Sequence, residues 1–330
     1  MKTLRNYLII ALLSILAMSC GGSVKGSTPA PTEPPANMTT ITAKVVWSFN
    51  GGETTFFYPS GIAIDSQGNV YVTDTRNGRV VKIDPKGQFL SEFGSNGGGA
   101  GQFTLPAGVA LDGEDNVYVA DSGNHRIQKF DSNGIFLTMW GSFGNGEGQF
   151  SEPSNIAVDG QGQVFVVDRQ NFNIQKFDSN GRFIASWGGK GEKEGQFVGI
   201  GFIAVDPQGN IYASDFQNNR LTMTRFDNSG QFLTKWEQLT CKFQRETVSP
   251  HEIGGAGGMW FDPQGSLYVA DLSWGRICQF DPNGIFLGGW GEKGIEPGQF
   301  QAPIGVVGDG AGNIYVLDYS SGQVQKFGIK

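Results

Sequence analysis

Residues Pro106 to Phe150 read PAGVALDGEDNVYVADSGNHRIQKFDSNGIFLTMWGSFGNGEGQF. Four short runs lie in this stretch: GVALD, NVYVAD, RIQKF and IFLTMWG. Each is rich in β-branched and aromatic residues, and a turn signal separates each from the next. A self-similar unit of this size is sought along the whole chain before any other feature is read.

The unit recurs. The Asp that closes the first run falls at Asp65, Asp112, Asp159, Asp206, Asp262 and Asp309, in steps of 47, 47, 47, 56 and 47 residues. A second Asp follows nine residues later each time, at Asp74, Asp121, Asp168, Asp215, Asp271 and Asp318. The third run carries an apolar residue near its end at Ile83, Phe130, Phe177, Phe226, Phe280 and Phe327. A tandem four-stranded unit of this length is the signature of a propeller blade. One blade cannot bury both of its faces, so the blades stack radially against each other. The expected fold class is all-β: a six-bladed β-propeller of four-stranded antiparallel blades.

The fourth run ends in an aromatic at Phe93, Trp140, Trp187, Trp236 and Trp290, which makes five. The last repeat stops at Lys330, just after its third run. Lys44 to Phe49 matches the missing fourth run, and Trp47 lies 46 residues before Phe93. The ring is therefore expected to be closed by an N-terminal strand, which also covers an exposed sheet edge. The propeller is placed at residues 41–330.

The pattern P-x-G-I-A-V-D-x-x-G-N-V-Y-V-A-D-x-x-N-x-R-I-Q-K-F-D resembles the NHL repeat. It stands here as Pro59 to Asp84 and Pro106 to Asp131, and with changes as Pro153 to Asp178. The resemblance implies the propeller fold across residues 41–330. It implies no single function, because that family includes enzymes, RNA binders and protein-interaction modules. The amidating lyases that share the repeat use a three-histidine zinc site. This chain has only His125 and His251, so it lacks those ligands.

Residues 1–19 read as a lipoprotein signal peptide. Lys2 and Arg5 give a positive start, and Tyr7 to Ala17 forms an apolar run too short to span a bilayer. Ala17-Met18-Ser19-Cys20 resembles a bacterial lipobox, with Ala17 in place of the usual Leu. Cys20 is the expected lipidated residue and the membrane contact. The alternative is a plain secretory signal followed by an incidental cysteine. Residues 20–40 hold Pro29, Pro31, Pro34 and Pro35 among Ser, Thr and Gly, and read as an extended tether. The expected location is the bacterial cell envelope, lipid-anchored and facing the periplasm or the exterior. Formal net charge is −7, and −9 once Lys2 and Arg5 are removed with the signal. An acidic, exported chain argues against a nucleic-acid partner, whose phosphates need a basic face.

Residues found in every blade read as scaffold. The first Asp can accept backbone N–H groups of the turn that follows it. The second precedes an Arg in several blades, as in Asp121 and Arg126, and reads as half of an ion pair. A ring of carboxylates for cations is the functional alternative. The recurrent Gly-Gln-Phe ending at Phe103, Phe150, Phe197 and Phe300 reads as a plug between neighbouring sheets. No G-x-S-x-G elbow and no phosphate loop is present. Asp112-Gly113-Glu114-Asp115-Asn116 is the densest acidic cluster but lacks a full calcium-loop pattern. No metal, cofactor or catalytic residue is assigned. Cys241 and Cys278 fall in neighbouring blades of an exported chain, and their Cα separation decides whether they are bridged.

Departures from the template are the functional leads. The 56-residue step holds two extra residues in Arg220 to Phe226 and seven in the connection Glu237 to Gly258, which loses Gly-Gln-Phe and gains Cys241, Lys242, Arg245 and His251. In a propeller this connection shares a face with the loops between second and third strands. Those loops differ most from blade to blade. The candidate ligand-binding face is Arg76, His125, Arg169, Phe172, Phe216, Trp274, Tyr319, Lys242, Arg245 and His251. Exposed aromatics and arginines anchor interfaces. The plainer reading is that the rings only fill the mouth of the ring. The favoured role is a monomeric binding or scaffolding module for a protein, peptide or glycan. The alternative is a lyase or lactonase with a metal in the central channel, which needs inward-pointing carboxylates and Asn. Asn155 is one such residue in otherwise apolar or small first strands.

Overall fold

A computed structural model describes residues 41–52, 55–217, 220–237, 239–241, 251–253 and 255–329. The signal segment, Cys20, the tether, Lys242, Arg245 and the side chain of His251 lie outside the described residues.

Six four-stranded antiparallel sheets and one two-stranded ladder make up the domain. The template stretch is blade 2, with strands Pro106–Leu111, Val117–Asp121, Arg126–Phe130 and Phe136–Trp140 from the axis outward. The inner strands contact one another in a closed circuit, including blade 6 against blade 1. Blade 6 consists of Pro303–Gly308, Asn313–Asp318 and Gln323–Ile329, completed by Ala43–Phe49 from the other end of the chain. Ala43 pairs with Ile329 and Phe49 with Val324.

The buried residues fall into six clusters, each lodged between two neighbouring sheets. The cluster at the closing seam joins Val70, Val72 and Val81 of blade 1 to Tyr315, Leu317 and Val324 of blade 6, with Trp47 and Phe49 packed on it. Phe103, Phe150, Phe197 and Phe300 are all buried in such seams, as plugs between sheets.

Two faces result, and they are built differently. On one, the turn face, a carboxylate organises each turn. Asp65 Oδ1 accepts the N–H groups of Gln67 (3.0 Å) and Asn69 (2.7 Å). Asp131 Oδ1 accepts those of Asn133 (2.9 Å) and Ile135 (2.8 Å). Gly134 in that second turn has φ of 81°, and a Cβ there would lie 2.6 Å from the Phe93 ring of the blade before. On the other, the loop face, each second-to-third-strand loop bonds to the connection that enters its own blade. Arg76 N donates to Phe57 O, Arg169 N to Glu152 O, Leu272 N to Gly255 O and Tyr319 N to Ala302 O.

Blade 4 departs from the expected loop pattern. Phe216 and Gln217 are not in a loop: the second strand runs Ile211–Gln217 and pairs through Phe216–Leu221 and Gln217–Arg220. The two extra residues lengthen the hairpin by continuing its ladder, which satisfies more backbone than an open loop would.

Candidate functional site

The repeated second Asp lies at the loop-face end of each blade and holds the incoming connection. Asp121 is fully buried. Its carboxylate accepts Thr104 N (2.7 Å), Asn124 Nδ2 (2.8 Å), Arg126 Nε (2.8 Å) and Gln128 Nε2 (2.9 Å). Asp74 accepts Phe57 N at 2.7 Å, and Asp318 accepts Gln301 N at 2.6 Å. Arg completes the ion pair at Asp74–Arg79, Asp121–Arg126 and Asp271–Arg276. These carboxylates are committed to scaffold bonds, which leaves little capacity for a cation ring. Burial raises the Asp271 carboxyl above its ordinary range, against the opposing pull of Arg276.

A second device went unread in the sequence. Gln128 Oε1 accepts Gly101 N (2.9 Å) while its Nε2 donates to Gln102 O (2.7 Å). Gln175 does the same to Gly148 and Gln149, and Gln325 to Gly298 and Gln299. One amide thus clamps the Gly-Gln-Phe connection in blades 2, 3 and 6. The signal was present as a Gln two residues before the third-strand Phe, at Gln128, Gln175 and Gln325.

Blade 5 lacks both partners of that clamp. Cys278 pairs with Val269 in the register where Gln128 pairs with Val119. It forms a disulfide with Cys241, Cα to Cα 6.0 Å. The connection folds back as a short ladder, Thr240–Cys241 against His251–Glu252, so His251 lies on a strand rather than in an open loop. Leu239, Cys241 and Ile253 are buried in the cluster between blades 4 and 5.

The described candidate residues are spread over several blades. Arg76 and Tyr319 meet at the seam between blades 1 and 6. Trp274 stands in the blade 5 loop, 42 % exposed, with the Arg276 guanidinium 5.9 Å from its ring centre. His125 is half-buried on blade 2; its Nδ1 lies 2.8 Å from Ser151 O and its ring packs on the exposed Phe143. Phe172 packs against the core between blades 3 and 4 and lies under the Lys190 ammonium, so it is partly a core residue. Arg169 is half-buried beside Glu152 and the exposed Gln170. Lys293, from the connection into blade 6, donates to Leu272 O and Gln301 O.

At the seam the structure adds two residues that sequence reasoning passed over, Phe57 and Tyr58. Phe57, Tyr58 and Tyr319 stand in a row, with centroid distances of 4.9 Å and 5.0 Å and interplanar angles of 32° and 35°. At that spacing neighbouring rings are in contact, each tilted to the next. Phe57 is 53 % and Tyr58 41 % exposed. Tyr58 has φ of 55°, a left-handed conformation uncommon for a bulky residue. Arg76 lies beside them. Its Nε is shielded from solvent without a hydrogen-bond partner. The Tyr319 phenol is raised by burial and by Tyr58, and Arg76 acts in the opposite direction.

Inner strands of all six blades line an axial channel of about 310 Å³. Its polar lining side chains are Ser60 and Asn155. Ser60 Oγ shares a bond with Thr75 Oγ1 (2.6 Å), and Asn155 Oδ1 accepts Ile203 N (3.0 Å) from the next blade. No carboxylate or imidazole lines it among the described residues. A catalytic metal needs such donors, so the channel wall does not fit one; Asp159, Asp206 and Asp262 line an adjoining cavity that shares Val158, Val205, Trp260 and Phe261 with it. Elsewhere Cys241, Asp271 and Cys278 approach one another, but both sulfurs are tied in the disulfide.

The NHL repeat model matches residues 56–83 and 103–130, in blades 1 and 2. No curated protein sequence matches the chain. Solved structures share the fold. A protein of unknown function from Bacteroides thetaiotaomicron is 16% identical with a TM-score of 0.64, over 88% of this chain and 76% of that one. Virginiamycin B lyase from Staphylococcus aureus is 14% identical, TM-score 0.60, over 87% and 99%. A gluconolactonase from Xanthomonas campestris is 14% identical, TM-score 0.60, over 94% and 99%. At these identities the likeness is one of fold.

Proposed function

We propose that this NHL-repeat propeller is a monomeric binding module of the cell envelope, anchored through a lipid on Cys20, and that its loop face recognises a protein, peptide or glycan. One observation carries the reading: the two faces differ in individuality. The turn face repeats one Asp-led turn from blade to blade, with Asp115 in the place of glycine in one turn of blade 2. The loop face carries a different set on each blade: Arg76, His125, Arg169, Phe216, Trp274 and Tyr319. Rigid β frameworks commonly place recognition on such loops. On the channel wall Ser60 and Asn155 are already bonded, and Asp159, Asp206 and Asp262 beside it accept N–H groups of their own turns. The activities of the lyase and the lactonase belong to those proteins.

Capture from envelope extracts tests the reading. The bait is wild type, the Trp274→Ala/Tyr319→Ala double variant, or a variant altered only in the turns at Asn133 and Asn283. The double variant is expected to lose partners that the turn variant keeps. The opposite pattern would place recognition on the turn face.

A further inference from the structure

The seam between blades 1 and 6 combines three features that point to one kind of ligand. Its aromatic rings form a contiguous row that ends in the exposed Phe57. Core aromatic pairs here range from 39° for Trp260–Tyr268 to 80° for Phe130–Phe136. The seam pairs, at 32° and 35°, are less inclined than these, so their faces lie side by side. Arg76 at their side is the second feature. Arg79, Arg126 and Arg276 each hold a buried Asp. Among the described residues Arg76 has no carboxylate partner, and its Nε is shielded and unbonded. The third feature is the backbone: Phe57 N is held by Asp74 and Phe57 O by Arg76 N, so at Phe57 the connection has no free backbone group for an extended peptide.

We propose that this seam binds an acidic sugar, a uronate unit of an oligosaccharide. The proposal rests on the loop-face reading above and names its ligand class. A saturated sugar ring has a flat apolar face that continues the row on Phe57 and Tyr58. Its carboxylate meets the guanidinium of Arg76, whose planar fork matches a carboxylate in two parallel bonds. An aromatic face alone would accept any ring. Arg76, without a carboxylate partner among the described residues, adds the requirement for negative charge. An acidic peptide would meet the arginine but would leave the row of rings and the occupied backbone without a role.

The test is retardation of the full chain in native gels containing polygalacturonate, alginate or hyaluronan, with dextran and poly-L-glutamate as controls. At least one uronate polymer is expected to retard the protein, and dextran and poly-L-glutamate are not. Arg76→Gln should weaken retardation about tenfold or more, since a hydrogen bond to a charged group contributes that much, and Phe57→Ala should weaken it by removing the exposed ring face. Arg182→Gln, on the turn face, should leave it unchanged. On unaltered protein, free galacturonate should compete and galactose should not, which keeps the test valid if a variant misfolds. Failure of all three uronate polymers, or retardation indifferent to both seam substitutions, overturns the proposal. Equal retardation by poly-L-glutamate that Phe57→Ala leaves intact would assign an acidic peptide instead. If capture of partners still depends on Trp274 and Tyr319 while uronates fail, the sugar assignment falls and the loop-face reading stands.

Discussion

Cys278 occupies the place in the third strand of blade 5 that Gln128 occupies in blade 2, and each fastens the connection entering its blade. Gln128 does so through two hydrogen bonds to Gly101 and Gln102. Cys278 does so through a covalent bond to Cys241. The longest departure from the repeat has lost one clamp and acquired another. In blade 4 the same register holds Thr224, whose buried Oγ1 has no partner, and in blade 1 it holds Val81.

Reduction should therefore loosen the stretch around Glu237 to Gly258 first. The bridged residues are 37 apart in sequence, for which loop-closure entropy gives about 4 kcal/mol. Thermal melting with and without dithiothreitol, beside Cys278→Ser, measures it. Both treatments should lower the midpoint and expose the connection to protease. An unchanged midpoint would remove the disulfide from the account.

Ring closure by the N-terminal strand predicts an unequal pair of substitutions. Trp47 Nε1 donates to Pro85 O of blade 1 at 3.0 Å, and its ring packs 5.8 Å from Tyr315. Trp47→Ala should cost about 3 kcal/mol. Val46, 57 % exposed on the same strand, should change stability by less than about 0.5 kcal/mol when replaced by Ala. Urea denaturation distinguishes them. Equal, small effects would mean that the strand is not part of the cooperative fold.

Most of the architecture was legible because the repeat writes it six times. Asp turns, aromatic plugs and the strand that closes the ring each follow from a residue type recurring at a fixed offset. The site was less legible. Phe57 and Tyr58 stand 47 residues before Thr104 and Leu105 in the entry to blade 2, so the repeat marks them only as connection. Only three-dimensional closure brings them to Tyr319. Phe172 looked like a surface ring because sequence cannot show that it packs under Lys190 against a core cluster. Phe216 read as loop because the extra pair that extends its hairpin carries no turn signal of its own.

Glycine at the turns separates backbone strain from packing. Gly134 and Gly101 have φ of 81° and 73°. A Cβ at Gly134 would meet Phe93 at 2.6 Å, whereas one at Gly101 meets nothing within 4 Å. Gly101→Ala should cost about 1 kcal/mol, the backbone contribution alone. Gly134→Ala should cost clearly more in the same denaturation series. Equal costs would mean that the turn does not pack on its neighbour.

Acid should weaken the fold through the turn carboxylates. Burial raises the Asp112 carboxyl, but hydrogen bonds from Asn116 and Tyr118 outweigh it, so the group lies below its ordinary value of 3.8. Asp309 is lowered in the same way by Asn313 and Tyr315. With the folded value below the unfolded one, their contribution is present above pH 3.8 and is lost as pH falls through the folded value. Asp112→Asn should flatten the decline of urea midpoint across that range. An identical decline in the variant would show that Asp112 does not contribute.

The claim that recognition belongs to the loop face is tested most directly by site-specific photo-crosslinking in intact envelopes. A benzophenone side chain replaces Tyr319 in one protein and Asn133, in the turn face, in another. The account predicts a discrete adduct from position 319 and none from position 133. An adduct from position 133 alone would contradict it.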